Sequence, residues 1–297
     1  MSDLLLIALA GFCASMVDGA LGMGFGPTSS SILLSAGLTP AATSATVNIA
    51  KVATGLAAGA SHWRFGNIDR RLVTRLALPG IVGAALGATV LASVDGAKLR
   101  PYLALLLLAV GARILLRFSK PLPSTPATVD ADRESNRVGR PVEYSTRGVE
   151  VVAAVGGVTN GLVGAWGPVV TPFLLHRGFP PRFAVGSVNT AEVAVAVVSV
   201  GTLFSASAGS GLRLDVIIAM LVGGVVAAPL AAHVVRFIAP RILGLAVAGL
   251  LLFTQGRELA GNIETPGSRW LGYCLLLVAL TLAAIRPRIG RATRIAP

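Results

Sequence analysis

Two ionisable residues, Lys51 and Glu192, stand inside long apolar stretches of the sequence. A charged side chain in a membrane-spanning stretch costs about 2.5 to 3.5 kcal/mol on insertion scales, so a compensating role is expected. An ammonium group attracts an anion, and a carboxyl group in a cavity of low dielectric constant can take up and release a proton. A structural ion pair between the two residues is the alternative.

Polar residues accompany both charged residues at helical spacing. Ser44, Asn48 and Lys51 are separated by four and three residues, so a helix places them on one face. Asn189 precedes Glu192 by three residues in the same way. We therefore predict that Ser44, Asn48, Lys51 and Asn189 bind a small substrate and that Glu192 takes part in coupling.

Two glycine-rich segments end in proline, GALGMGFGP at 19–27 and NGLVGAWGP at 160–168. Glycine lets backbones approach closely, and Pro27 and Pro168 suit the first turn of a following helix, whose N–H groups attract anions. On this ground, substrate binding is predicted for Gly22, Gly24, Gly26, Gly164, Trp166 and Gly167. The alternative is that the glycines only permit a tight hairpin.

Asp18 immediately precedes the first glycine-rich segment, where it either caps the break or lines a cavity, and we assign it to coupling together with Glu192. The three histidines lie near the ends of apolar stretches, and Cys13 and Cys274 have no CxxC or CxxH neighbour, so no metal site or other cofactor is expected. No GxSxG, HExxH or P-loop motif occurs. The protein is therefore not expected to be an enzyme or to use ATP directly.

The composition places these residues in a membrane protein. Hydrophobic residues make up 54% of the 297 residues and charged residues only 13%, too few for a water-facing surface. Stretches near the length needed to cross about 30 Å of hydrocarbon predict an all-α bundle whose Gly and Ala residues allow close helix packing. The seven candidate spans are 41–61, 72–94, 99–118, 183–208, 214–235, 240–256 and 270–285.

The net charge of +12 does not indicate nucleic-acid binding, because the basic residues lie in short loops between apolar spans, as the positive-inside rule requires. The apolar run at the N-terminus follows Asp3 and not a basic residue, so we expect it to be retained as part of the bundle.

An internal repeat relates the two halves of the chain at a shift of 141 residues. Gly26 and Pro27 fall on Gly167 and Pro168, and TPAATSATVNIAK at 39–51 falls on PPRFAVGSVNTAE at 180–192. Coincidences of Pro and Asn at one shift are uncommon by chance. The predicted domains are a first membrane repeat (1–118), a polar cytoplasmic linker (119–147), a second repeat (148–260) and an added C-terminal helix with a basic tail (261–297).

The distribution of basic residues favours inverted repeats. Residues 4–16 form a helix of only about 20 Å, too short to cross, so each half can begin with a re-entrant broken-helix hairpin followed by three transmembrane helices. That arrangement places 19 of the 25 Lys and Arg residues on the side of the linker. The linker and C-terminus are then cytoplasmic, while the N-terminus and the loop at 95–100 lie outside. Full crossing of the broken segments is the alternative.

These features make the chain resemble the TauE/SafE family of sulfite exporters over nearly its whole length. The resemblance rests on the two glycine-rich motifs before proline, on the small-residue helix that follows each, and on HWRFGNID at 62–69. Val163 and Ala165 stand where the family commonly has glycine. The resemblance implies movement of sulfite, organosulfonates or related small anions, and it implies outward transport.

The sequence therefore predicts a multi-pass protein of the inner membrane that carries small oxyanions as an ion-gradient-coupled secondary transporter. Its expected partners are a small anion, protons or another coupling ion, and the lipid bilayer; a homo-oligomer is left open. Three alternatives stay open on the residues alone: a carrier of another anion such as a carboxylate, a passive anion channel, and a membrane enzyme or sensor partner.

Overall fold

The computed structural model describes residues 2–21, 23–119, 146–207, 213–234 and 240–260. Gly22, most of the predicted linker and the predicted span 270–285 lie outside the described residues, whereas the other six predicted spans all coincide with helices. The ten helices of the described residues are α1 (Ser2–Leu21), α2 (Phe25–Ser35), α3 (Pro40–Arg64), α4 (Arg70–Ser93), α5 (Gly96–Ser119), α6 (Val149–Val163), α7 (Gly167–His176), α8 (Pro181–Ser207), α9 (Leu214–Val234) and α10 (Pro240–Ala260).

The predicted all-α membrane architecture is confirmed at this level. Three helices within the described residues are long and apolar enough to cross a bilayer, namely Arg70–Ser93, Gly96–Ser119 and Arg182–Ala206. Large apolar side chains on the outside of the bundle are consistent with a lipid-facing surface, for example Leu78 at 68% exposure.

Local signals fix where the central helices begin. The Thr39 hydroxyl caps α3 by accepting a hydrogen bond from the Ala42 N–H at 3.3 Å, with Pro40 in the first turn. The Asp69 carboxylate caps α4 by accepting from the N–H groups of Arg71 and Leu72. These caps set the register of the two helices that carry most of the contacts to the second half.

Both predicted breaks occur, but the pieces differ in length from expectation. The expected first piece, 4–16, is part of α1, which has 20 residues and a length of about 30 Å. In the second half α6 has 15 residues, about 22 Å. The pieces after the breaks are short, 11 residues in α2 and 10 in α7. The helix before the first break thus continues five residues beyond the expected end, from Met16 to Leu21.

Helices α4 and α6 run parallel to each other, and glycines let them pack closely along their lengths. A methyl group on Gly157 would lie 2.1 Å from the carbonyl oxygen of Gly80, and one on Gly161 would lie 2.5 Å from that of Ala84. Each step of four residues on one helix matches four on the other. Any residue with a side chain at either glycine would force the helices apart.

The helices related to this pair by the 141-residue shift, α9 and α1, pack in the same way. A methyl group on Gly11 would lie 2.4 Å from the Met220 carbonyl oxygen, and one on Gly224 would lie 3.9 Å from the Ser15 side chain. The equivalent helices α5 and α10 pack on each other, as do α3 and α8. The pairing of helices therefore repeats between the halves.

Contacts identify the two ends of the bundle. At what we call the linker end, Arg75 in α4 forms an ion pair with Glu150 in α6 at 3.7 Å, and the Ser187 hydroxyl in α8 accepts from the Asp69 N–H at 3.0 Å. A methyl group on Gly148 would lie 3.9 Å from the Arg177 guanidinium. Thus α4, α6 and α8 all begin at the linker end, and α7 ends there.

The opposite end holds the loop between α4 and α5. A methyl group on Gly96 would lie 3.1 Å from the Pro40 ring, so α3 begins there. The Arg100 guanidinium donates to the carbonyl oxygens of Leu34 and Leu38, both at 3.3 Å, so α2 ends there. Helix α3 therefore runs antiparallel to α8, and this crossing carries the two charged residues.

Candidate functional site

The two helix breaks meet inside the bundle through bare backbone. A methyl group on Gly26 would lie only 1.7 Å from the carbonyl oxygen of Gly164. Gly164 has a φ of +67°, in the left-handed region that favours glycine, and a methyl group on it would lie 2.7 Å from the Val47 side chain. Neither position has room for a side chain. The contact brings the end of α6 against the start of α2.

Lys51 lies beside this contact and is 5% exposed. Its ammonium group forms an ion pair with the Glu192 carboxylate and donates to Asn160 Oδ1 at 2.9 Å and to the Gly164 carbonyl oxygen at 2.6 Å. An ammonium group has three N–H donors, so all three are satisfied. The predicted proximity of Lys51 and Glu192 is therefore present in the structure.

The last turn of α6 is held by residues of the first half. The final carbonyl groups of a helix have no partner within it. Here the Ser44 hydroxyl donates to the Gly161 carbonyl oxygen at 2.7 Å, and the Ser30 hydroxyl donates to that of Val163 at 2.7 Å. Lys51 completes the set, and its positive charge lies at the helix end that carries partial negative charge.

Asn160 is a central residue of the site that the sequence reasoning missed. Its amide donates to Asn48 Oδ1 at 2.7 Å and to the Ser199 hydroxyl at 3.1 Å, while its own oxygen accepts from Lys51. Asn48 in turn donates to the Ser44 carbonyl oxygen at 2.9 Å. Its position in the sequence could have indicated a role, because Asn160 is the first residue of the second glycine-rich motif. The first motif has Gly19 at the equivalent position, so the repeat did not point to a polar residue there.

Asp18 adopts both of the roles that were considered for it. Its Oδ1 accepts from the Phe25 N–H at 3.2 Å and so caps the start of α2, and the residue also lines the cavity beside Lys51 and Glu192. The equivalent residue in the second half is Thr159. Its hydroxyl lies 2.9 Å from the carbonyl oxygens of Gly156 and Ala165 and ties the break to the helix before it.

Trp166 lies in the core of the bundle. It is fully buried, its indole N–H donates to the Val188 carbonyl oxygen at 3.2 Å, and its ring packs against Gly80 and Gly156. The ring fills the core between α4 and α8 because glycines on both sides leave space for it. The described contacts of Trp166 are thus core packing and one backbone hydrogen bond, and its contact with substrate stays a prediction.

Asn189 lies where α8 faces α3, and its predicted role in substrate binding stays a prediction. Its backbone oxygen lies near Gly55, and the hydrogen bonds described for Lys51 and Asn48 go to Asn160 instead. Several of the other predicted residues do converge, because Gly24, Gly26, Gly164, Gly167, Lys51 and Glu192 line one small cavity with Asp18, Met23, Pro27 and Pro168. Ser44 and Asn48 belong to the hydrogen-bond network instead.

This cavity has a volume of about 10 Å³, enough for about one water molecule. Two carboxyl groups, those of Asp18 and Glu192, and the Lys51 ammonium group face it or adjoin it. An anion can bind there only if the cavity widens and Lys51 exchanges its carboxylate partner for the ligand.

A larger groove of about 670 Å³ lies between α3 and α8 on the linker-end side of Lys51. Gly55, one helical turn after Lys51, and Val193, next to Glu192, stand where the groove approaches the pair. A methyl group on Gly55 would lie 2.9 Å from the Val193 side chain, so these residues close the groove from the cavity. Arg70 and Trp63 lie along its outer part.

Within the described residues, no group of three or more His, Cys, Asp or Glu side chains is placed to hold a metal ion. The polar atoms of the site instead form a connected network of one ammonium group, two carboxyl groups, amides, hydroxyls and backbone carbonyls. Such a set can bind a small polar solute and exchange a proton with it.

Comparison with known proteins agrees with this description. The family model "Sulfite exporter TauE/SafE" matches residues 7–257. The "Probable membrane transporter protein YtnM" of Bacillus subtilis (strain 168) is 39% identical over 267 residues, which cover 87% of this chain and 83% of that protein. No solved structure matches the chain significantly. The chain belongs to the TauE/SafE family of membrane transporters.

Proposed function

We propose that this member of the TauE/SafE family is a secondary transporter of small oxyanions, such as sulfite or an organosulfonate, in the inner membrane. The observation that carries the proposal is the buried Lys51, which joins a carboxylate to the meeting point of two helix breaks. Outward transport is the direction that the family's description implies.

Substrate binding follows from the partners of Lys51. All three of its N–H donors are occupied when no ligand is bound, so an incoming oxyanion must replace the Glu192 carboxylate. Displacing an unprotonated carboxylate would leave two negative groups close together in a medium of low dielectric constant, which is costly. Protonation of Glu192 removes that cost. Anion binding and proton binding therefore favour each other, so a proton crosses together with the anion. Outward movement is then driven by the anion gradient and by the inside-negative membrane potential, while the inward pH gradient opposes it.

The helix starts at the breaks support binding of an anion in different ways. The start of α2 already has the Asp18 carboxylate as its cap, whereas the start of α7, after Trp166, has no side-chain cap. Pro168 has no N–H, and the N–H groups of Val169 and Val170 already donate to the Trp166 carbonyl oxygen, both at 3.1 Å. The start of α7 therefore favours negative charge through the Gly167 N–H and the partial positive charge of the helix end. We assign the anion to the space between Lys51 and the start of α7, with Gly167 allowing close approach.

The two halves are proposed to be inverted repeats that alternate around this site. In support, α6 begins at the linker end and α7 returns to it, while α2 ends at the opposite end. Helix α1 runs parallel to α9, which follows α8 from the opposite end. Each half then starts with a hairpin that enters and leaves on one face, and the two hairpins enter from opposite faces.

Flux measurements in proteoliposomes test the transport function. We expect uptake of radioactive sulfite that saturates, is inhibited by methanesulfonate and is accelerated by acid on the side of addition. A panel with sulfate, acetate and chloride sets the class of substrate. Faster acetate than sulfite flux would indicate a carboxylate carrier, and linear, non-saturating chloride conductance would indicate a channel.

Cysteine accessibility tests the inverted arrangement. Single cysteines at Lys98, in the exposed start of α5, and at Ser124, in the linker, are placed in a variant without Cys13 and Cys274. A membrane-impermeant thiol reagent should label the two from opposite sides of the membrane. A second pair at Ser2 and Ala296 should likewise react from opposite sides, and reaction of both termini from one side contradicts the hairpin model.

A further inference from the structure

Arg117, in the last turn of α5, points into the bundle near the linker end. Its side chain is partly buried, and Nη1 lies 3.7 Å from the Met23 sulfur. Met23 belongs to the first break and lines the small cavity with Lys51. Arg117 therefore reaches from the linker end to the wall of the binding cavity.

The described contacts of Arg117 do not match the chemistry of its guanidinium group. A thioether sulfur is a weak acceptor, and the Phe118 ring, whose centre lies 5.7 Å from the guanidinium carbon, makes a cation–π contact that supplies neither a strong hydrogen-bond acceptor nor a negative charge. None of the ion pairs between described residues includes Arg117. An arginine at this depth normally pairs with a negative group, because its five donors match an oxyanion.

The repeat shows which group occupies the equivalent position in the second half. The 141-residue shift relates Arg117 to Glu258 and Arg100 to Arg241. At the opposite end of the bundle, Arg100 and Glu258 form an ion pair at 3.7 Å. At the linker end the same two positions both hold arginine, so the carboxylate that balances charge in one half has no counterpart in the other.

We propose that Arg117 is an anion-binding residue that receives the substrate oxyanion from the linker side before it passes to Lys51. The inference rests on the proposed transport of small oxyanions and adds a specific residue and side to it. A planar guanidinium group binds a sulfite or sulfonate group through two parallel hydrogen bonds, whereas the strongly hydrated ammonium group of Lys51 acts as a point charge.

The test measures the KM and the maximal rate of sulfite transport from each side in membrane vesicles. The side that exposes the linker is identified by protease access to residues 120–145. For Arg117→Gln we expect the KM for sulfite on the linker side to rise about ten-fold or more, as for loss of a charged hydrogen bond. The KM on the other side should change by less than about two-fold, within the usual scatter for a group that makes no contact there.

Arg113→Gln is the matched control, because Arg113 lies one turn earlier on α5 and is exposed. It removes the same charge from the same helix and should leave both KM values unchanged. Arg117→Lys keeps the positive charge but lacks the planar guanidinium group with its paired donors. Its affinity for sulfite should therefore lie between those of the unaltered protein and Arg117→Gln. A second variant, Met23→Glu, retains Arg117 but supplies it with a carboxylate, and it should raise the linker-side KM in the same way.

The outcomes separate the two proposals. Absence of saturable sulfite transport by the unaltered protein would reject the proposed function itself. Normal transport by the unaltered protein with an unchanged linker-side KM in both Arg117→Gln and Met23→Glu would overturn only the assignment of Arg117. An equal rise of KM on both sides, or a loss of maximal rate alone, would identify Arg117 as a structural residue and also overturn the assignment.

Discussion

The two halves of this protein have the same order of helices and breaks, but they carry different charged residues at equivalent positions. Each half has a helix that breaks at a glycine-rich segment, a short second helix, and a long helix that crosses its counterpart near the breaks. At equivalent positions, however, the first half has Lys51 and Asp18 where the second has Glu192 and Thr159. The symmetric parts are those that pack, and the asymmetric parts are those that carry charge.

The difference assigns separate tasks to the halves. A symmetric packing role would be served by the same residue on both sides. Instead, the first half supplies the ammonium group, and the second supplies its three acceptors, namely Glu192, Asn160 and the Gly164 carbonyl. Lys51 is thus one of the points at which the two halves hold each other, beside Ser30 and Ser44, and a ligand that competes for Lys51 loosens that connection.

Removal of the ammonium group should have the largest effect on this division. Lys51→Met leaves the Glu192 carboxylate and the Asn160 oxygen without their donor, and breaking a buried pair in this way costs about 3 to 5 kcal/mol. We expect sulfite transport to be lost and the melting temperature in detergent to fall. Scintillation proximity binding of sulfite, measured on folded protein isolated by size exclusion, should show loss of binding itself.

The double variant Lys51→Met/Glu192→Gln distinguishes transport chemistry from packing. It removes both charges, so it should recover thermal stability but not gradient-driven flux. Recovery of near-normal flux in the double variant would show that the pair is only structural.

Gly26→Ala tests the part of the comparison that is symmetric. Its methyl group would lie 1.7 Å from the Gly164 carbonyl oxygen, so the two breaks must separate. We expect a loss of stability by several degrees in melting temperature together with loss of transport. Gly201→Ala is the control, because its methyl group would meet no atom within 4 Å.

Glu192→Gln should leave binding but remove coupling. The amide oxygen can still accept from Lys51, while the group no longer titrates. Counterflow exchange of sulfite should persist, and the acceleration by acid on the side of addition should disappear. Retention of the full response to a pH gradient in this variant would move the proton-binding role to Asp18.

The smallest effects are expected at the capping residues Asp18 and Thr159. Asp18→Asn keeps an oxygen that accepts from the Phe25 N–H and removes only the charge, so stability should change by less than about 1 kcal/mol. Thr159→Val removes a buried hydroxyl, with a cost of about 1 kcal/mol. Thermal unfolding measures both. A change in the pH dependence of transport in Asp18→Asn alone would assign a charge-dependent role to the first half's cap.

Much of this architecture could be predicted from the sequence because it depends on periodicity and on glycine. Both breaks, six of the seven spans and the adjacency of Lys51 to Glu192 follow from apolar runs, small residues and the cost of isolated charges. These signals are local or nearly so, and the repeat doubles each of them.

The rest depends on contacts that no local pattern encodes. Asn160 was missed because the comparison of the two halves gives weight to positions where the residues are identical. The first half has Gly19 at the position equivalent to Asn160, so this position did not stand out. Trp166 lies in the core because Gly80 and Gly156, on two other helices, leave space for its ring. Helix α1 extends to Leu21, and the apolar pattern of residues 4–16 did not indicate this extension.

The contact between Gly26 and Gly164 also has a consequence for the cell's energy supply. A membrane potential of 100 mV exerts about 2.3 kcal/mol on each elementary charge that crosses, and any continuous file of water through a transporter would let protons dissipate it. Backbone packed against backbone leaves room for about a single water molecule at this point. This packing interrupts a continuous file of water through the bundle at this point, so we expect the closed protein to leak few protons.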